Sequence, residues 1–213
     1  MYIPAAFRET RLDVLHELIR THSFATLVSL VADGELCATH MPFLLDDSRG
    51  PSGTLVGHMA RANPHWQAFS KPPELESLVI FQGPHAYISP AGYVSESSVP
   101  TWNYTAVHAY GIPTLTEDPR RVRQLLEATV RTFEEGSPAP WSTQRVSEDY
   151  IASLARGIVA FEIPIARLEG KRKLGQNRPT ADVLGAAAGL RAVGDDASIA
   201  VADQMEAAAQ KPV

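Results

Sequence analysis

Three short stretches of the chain hold residue types that could bind a charged, flat ligand. The first is GHMARANPHW, from Gly57 to Trp66. Arg61 offers a planar fork that matches a phosphate, and His58 adds a donor near the end of a strand. Asn63 followed by Pro64 is a standard helix start, whose free N–H groups favour an anion. Gly57 permits close backbone approach. The same residues also describe a capped helix with Trp66 in the core and Arg61 in solvent. The second stretch is VPTWNYTAVHAYG, from Val99 to Gly111. Trp102, Tyr104, His108 and Tyr110 stand at even spacing, so in a strand they share one face and Asn103 points to the other. Aromatics with polar edges suit a flat heterocycle. An ordinary cross-strand aromatic cluster would read the same way. The third is GKRKLGQNRP, from Gly170 to Pro179. Lys171, Arg172, Lys173 and Arg178 put four cations in eight positions, and Gln176 and Asn177 add amides. An anion would be at home there, although a solvated loop ahead of the last helices gives the same pattern.

Other chemistries lack their residues. There is no HExxH, no cysteine pair, no GxSxG and no P-loop, and the seven histidines have no compact ligand spacing, so no metal site is expected. Cys37 has no local motif and reads as a small buried hydrophobe. No pair of carboxylates suggests a general acid and base.

These stretches need elements to position them. Leu12, Leu15, Leu18, Ile19 and His22 recur at helical spacing, predicting a helix over Arg8 to His22. Phe24–Val31 is a short apolar run that predicts a buried strand. It meets Asp33-Gly34, a hairpin signal, and continues into ELCATHMPFLL. Asp46 to Gly53 reads as a surface turn and Thr54–Ala60 as the next strand. Ser77–Pro84 and His85–Pro90 read as two strands joined by a turn at Gly83-Pro84. Ala91 to Ser98 reads as a mobile loop, Pro100–Gly111 as a strand, and Asp118-Pro119 as the cap of a helix running to Glu135. Ser147–Ala155 predicts a short helix and Gly157–Ile165 a strand. The alanine-rich tail from Pro179 predicts helix in two pieces, broken at Gly194-Asp195-Asp196. Six to eight strands, mostly consecutive, with four to five helices favour an antiparallel sheet or barrel with peripheral helices.

Length and composition agree. The 213 residues suffice for one domain with an appendage, and 45% apolar with 20% charged residues is ordinary globular composition. Sixteen prolines suit an antiparallel β protein better than a helical bundle. No run approaches the length of a membrane span, and the first residues carry charge by Arg8 with no apolar stretch, so neither a membrane span nor a secretory signal is expected. With a single cysteine, a cytoplasmic location is the default. A net charge of −5 argues against a basic duplex-binding module and against an anionic membrane surface.

MYIPAAFRE at the start, GHMARANPHW, FQGPHAYISPAGY, VPTWNYTAVHAYG and EGKRKLGQNRP together resemble the PaiB-type family of FMN-binding negative transcriptional regulators, in order from residue 1 to about 182. The resemblance implies an α+β, mainly β fold: an antiparallel split β-barrel of the pyridoxamine-phosphate-oxidase-like kind. It would occupy residues 1–178, with a helical extension over 179–213 packed on the same domain. It also implies a homodimer that binds FMN at the subunit interface. By that resemblance Arg61 clamps the phosphate with His58 and Asn63 beside it. Thr39 and His40 border the flavin, and Trp102, Asn103, Tyr104 and His108 line the ring. Lys173, Gln176 and Asn177 close the site, from either subunit. Family members often carry Ser where this chain has Gly175, which removes one hydroxyl donor. The implied function is a flavin-dependent redox enzyme or sensor linked to negative transcriptional regulation. A direct DNA-binding repressor and a haem-binding or haem-degrading barrel are the alternatives.

Overall fold

The computed structural model describes residues 1–31, 34–70 and 75–210. Its strands are β1 (Arg8–Glu9), β2 (Phe24–Leu30), β3 (Leu36–Pro42), β4 (Leu44–Asp46), β5 (Thr54–Ala60), β6 (Ser77–Ile88), β7 (Thr101–Gly111), β8 (Thr114–Thr116), β9 (Ile158–Pro164) and β10 (Arg167–Lys173). Its α-helices are α1 (Leu12–Thr21), α2 (Pro119–Glu134), α3 (Glu148–Arg156), α4 (Thr180–Val193) and α5 (Asp196–Ala209). Two antiparallel sheets result, with strand orders β1-β10-β7-β6-β2-β3 and β4-β5-β9-β8. Strands outnumber the expectation because β1, β4 and β8 are two or three residues long, below the reach of a periodicity argument.

Local signals explain most boundaries. Asp118 caps α2 by accepting from the Arg120 N–H, with Pro119 in the first turn, as its Asp-Pro pair predicts. Ser147 caps α3 and Asp195 caps α5 in the same way. Gly194, at φ 82°, ends α4 in the left-handed conformation that glycine tolerates best. Three expectations fail. α1 starts only at Leu12, because Arg8 and Glu9 pair with Lys171 and Gly170 as a strand. Gly83-Pro84 makes no turn: β6 runs through it, and the alternation of buried and exposed residues shifts phase there instead. Cys37 is only half-buried, on β3. Of the Asp33-Gly34 hairpin signal, Asp33 lies outside the described residues, while Gly34 has φ 79°.

The chain forms two compact units, each drawn from separate stretches. Unit one comprises Met1–Leu18, Phe81–His108 and Glu169–Val213; unit two comprises Ile19–Ile80 and Ala109–Leu168. In unit two the odd-numbered residues of β3, β5 and β9 point inward. Phe43 and Phe69 pack on Phe161 with ring centroids 6.1 and 4.9 Å apart, and Leu27, Leu55 and Ile163 are fully buried beside them. Each such side chain contributes about 1.5–3 kcal/mol of burial. Gly57 serves this core. A Cβ there would sit 2.9 Å from Met41 Cε and 3.3 Å from the Phe43 ring, so the close neighbours are packed side chains. In unit one, small residues let α4 and α5 lie close: Ala186, Ala187, Val201, Ala202 and Met205 bury against Ile88 and Leu174. Gly185 of α4 meets Gly92, where a Cβ on Gly185 would fall 1.9 Å from the Gly92 carbonyl oxygen.

Candidate functional site

Unit two supplies the turn after β5. Asn63 caps a 3-10 helix, Pro64–Ser70, its Oδ1 accepting from the His65 N–H at 3.0 Å. Its amide donates to Thr39 Oγ1 at 3.2 Å, and Thr39 lies 2.8 Å from His65 Nδ1. The three side chains therefore close a ring. The contact closes with either neutral tautomer, the Thr39 hydroxyl donating to Nδ1 or accepting from it. The His65 Nε2 is buried without a hydrogen-bond partner, beside the Phe69 ring at 5.7 Å, and burial holds the imidazole below its ordinary pKa. Sequence reasoning passed over His65; its place two residues after the Asn cap, in a run with Trp66 and Phe69, was the available signal.

Thr39 and His40 diverge. β3 turns Thr39 toward His65 and leaves His40 exposed, 3.0 Å from Thr26 Oγ1 across the β2–β3 pair. His58 is half-buried opposite Ala160, and burial lowers its pKa. Arg61 reaches back to the end of α3. Its Nε donates to the Arg156 carbonyl at 3.0 Å and its Nη2 to the Ile158 carbonyl at 2.8 Å. The guanidinium satisfies carbonyls that a helix end leaves open. Trp66 Nε1 donates to the Arg61 carbonyl at 3.1 Å. The turn is thus held by its own hydrogen bonds, and among the described residues Arg61 Nη1 has no partner.

Unit one supplies β7 and β10. The parity expected of β7 holds: Asn103, Thr105 and Val107 are buried, while Trp102, Tyr104 and His108 are half-buried or exposed. Trp102 is 53% exposed. His85 and Tyr87 of β6 lie against it, with centroids 5.7 and 6.2 Å away. Both lie in the FQGPHAYISPAGY stretch, where alternation within HAYISP is the cue that they share a face. Lys173 donates to Thr101 Oγ1 and, at 2.6 Å, to the Trp102 carbonyl, which fixes its ammonium on the backbone at the start of β7. Burial, then repulsion from Lys171 and Arg178, pushes its pKa down. Lys171 Nζ sits 5.1 Å from the Tyr104 ring and donates to the Tyr2 carbonyl.

Other predicted residues are occupied locally. Asn103 donates to Met205 Sδ at 3.3 Å, away from the open face. Gln176 closes its own turn, accepting from the Leu174 N–H and donating to the Arg172 carbonyl. Asn177 is exposed. Gly175 has φ 90°, so this backbone favours glycine over a residue with a hydroxyl. The stretch expected to be a mobile loop is anchored. Asp182, fully buried in α4, accepts from the Val94 and Ser95 N–H groups, both at 2.9 Å. Arg178 stacks on Tyr93 at 4.1 Å and donates to Ser98 Oγ. No three histidines, cysteines or carboxylates are grouped to hold a metal ion among the described residues. No helix among them is long and apolar enough to cross a membrane.

Comparison with known proteins agrees with this picture. A Bacillus subtilis protein named "Protease synthase and sporulation protein PAI 2" is 35% identical over 184 residues, 86% of each chain. An uncharacterized Aspergillus fumigatus protein is 30% identical over 95% of each chain. Among solved structures, the FAD and haem binding protein of Mycobacterium smegmatis superposes with a TM-score of 0.59 at 19% identity, covering 79% of this chain and 74% of that one. The flavocytochrome Anf3 of Azotobacter vinelandii gives 0.60 at 14%, covering 79% and 70%. At these identities the two structures speak for the fold alone. The family model described as "Putative FMN-binding domain" matches residues 1–167. With four-fifths of the chain under that model and a relative of 35% identity spanning most of both proteins, the chain belongs to this FMN-binding family, and FMN is the cofactor that membership assigns to it.

Proposed function

We propose that the chain is a redox-active flavoprotein of the cytoplasm that works as a homodimer and exerts a negative regulatory role through its flavin. The observation that carries the reading is the open aromatic face of β7. An indole 53% exposed and flanked by His85 and Tyr87 is costly surface unless something flat covers it. Trp102 and Tyr104 would stack on or edge the isoalloxazine, His108 would face it, and Lys173 would offer an N–H to a ring oxygen. Taken by itself, unit two offers a phosphate the Nη1 edge of Arg61, with half-buried His58 and exposed His40 as its other candidate contacts. Thr39 and Asn63 would act through the closed ring with His65, keeping the turn rigid.

The bound cofactor would supply the electron chemistry, and the protein would supply orientation and exclusion of water. Exposed Phe24, and the cross-strand neighbours Leu30 and Leu36, give β2 and β3 an apolar face of the kind a second copy would cover. The net charge of −5 supports regulation without duplex contact. The name of the B. subtilis relative, which refers to sporulation, suggests the kind of process involved. Purified protein should be yellow and should retain FMN through gel filtration at the mass of a dimer. Colourless protein that gains no flavin on mixing with FMN would refute the reading. A shifted DNA band at low salt would overturn its regulatory part.

A further inference from the structure

Helix α3 turns one face to a cavity of about 850 Å3 in unit two. Ile151, Ala152 and Ala155 stand three and four residues apart, so they form one apolar stripe. Val122 of α2 and Val159 and Ala160 of β9 complete the wall, and Trp66 borders it. That volume and lining are those of a small-molecule site.

The charges are arranged along the helix. At the C-terminal end of α3, Arg156 stands with Arg61, whose guanidinium is fixed by the Arg156 and Ile158 carbonyls. The Arg156 side chain has no hydrogen-bond or ion-pair partner among the described residues. At the other end, seven residues or roughly 10 Å away along the helix, stands Asp149. Glu148 beside it is neutralised by Arg123. Glu117 and Arg120 flank the start of α2 with opposite signs. Arg123 is shared with Glu127, so the lining as a whole is near balance, and what stands out is that Arg156 and Arg61 gather at one end of an apolar slot.

We infer that this cavity binds an amphipathic anion: an extended or flat apolar body about as long as two helical turns, ending in one carboxylate or sulfonate. The body lies along Ile151, Ala155 and Val159, and the anion meets Arg156 beside Arg61. The cavity shares Arg61 with the flavin reading and rests on it to that extent; the rest of its wall is separate from the aromatic face, and the cation it adds is Arg156.

The test is a titration of the full chain with 1-anilinonaphthalene-8-sulfonate, read as probe emission excited through tryptophan, followed by competition with decanoate and with decylamine. Arg156 and Ala152 are both exposed helix positions, so Arg156→Glu and Ala152→Phe leave the core intact. The expected result is saturable binding of one probe per chain, displaced by decanoate and spared by decylamine. Binding should be about tenfold weaker in Arg156→Glu, the loss of one charge-assisted contact, and abolished in Ala152→Phe. Helical circular dichroism and FMN content should be unchanged in both. Unsaturable binding, equal affinity in all three proteins, or decylamine competing as well as decanoate would overturn the inference.

Discussion

The turn after β5 and the open face of β7 draw on similar residues, and they treat them in opposite ways. At the turn, Asn63, Thr39 and His65 close a ring of hydrogen bonds, and Arg61 places two of its donors on carbonyls of the α3–β9 junction. On β7, Trp102 and Tyr104 turn outward, while Lys173 and Lys171 are tied to backbone carbonyls of Trp102 and Tyr2. Residue type says what chemistry is possible; closure of the local hydrogen bonds says which groups are left to perform it. The turn contributes a rigid frame with one free edge. The face contributes surface.

That contrast can be broken by mutation. The largest effect is expected in unit one, where the contact of α4 with Gly92 anchors the segment leading into β7. By propensity alone, Gly185→Ala in mid-helix would stabilise by about 1 kcal/mol. A Cβ falling 1.9 Å from the Gly92 carbonyl reverses the sign, and we expect a net loss of about 3 kcal/mol in urea denaturation. A more stable Gly185→Ala would mean the segment is not anchored there. Next comes Asn63→Ala. It removes a cap, leaves the His65 N–H without that partner and takes one of the two contacts from Thr39, at a cost of about 1–2 kcal/mol, with FMN affinity per folded molecule little changed. Arg61→Ala should weaken FMN about tenfold, while Arg49→Ala should leave affinity unchanged and lose only its ion pair with Glu162. Equal affinity in the two arginine variants would remove the phosphate from the turn.

Acid should separate the units by sign and window. His58 and His65, both in unit two, have folded pKa values lowered by burial, so protons favour the unfolded form. Their contribution is complete above the ordinary histidine value of 6.5 and declines as pH falls below it. In unit one the Glu9 carboxyl is held down to about 2, chiefly by its hydrogen bond from Arg11. Its contribution is intact above 4.5 and is lost only as pH falls toward 2. Amide exchange, corrected for intrinsic rate and compared between about pH 7 and about pH 5, should show protection falling in unit two ahead of unit one. Simultaneous loss would contradict the assignment. The smallest effect is expected from Tyr87→Ala, which removes one edge contact worth about 0.5–1 kcal/mol and should shift Trp102 emission to the red.

Much of this was legible in the chain. The parity of β7, the Asp118-Pro119 start of α2 and the Gly194 break between α4 and α5 follow from period and from single-residue conformational preference, which are local. The errors have non-local causes. The stretch Ala91 to Ser98 has the composition of a free loop, yet its N–H groups are held by Asp182, 87 and 88 residues away. Arg61 reads as an unengaged cation because its carbonyl partners lie 95 and 97 residues further on. β6 runs unbroken through Gly83-Pro84 as a strand of the six-stranded sheet, which turn propensity cannot foresee. His65 and Tyr87 lie within GHMARANPHW and FQGPHAYISPAGY, but they matter through what folds beside them, which the motifs do not show.

The central claim is that a flavin covers the indole of Trp102. Its most direct test is an equilibrium titration of apo-protein with FMN, following flavin emission in the wild type and in Trp102→Ala. The account predicts one FMN per chain with strong quenching in the wild type. In Trp102→Ala, binding should be about tenfold weaker and much of the quenching should be lost. Equal affinity and equal quenching in the two proteins would contradict it.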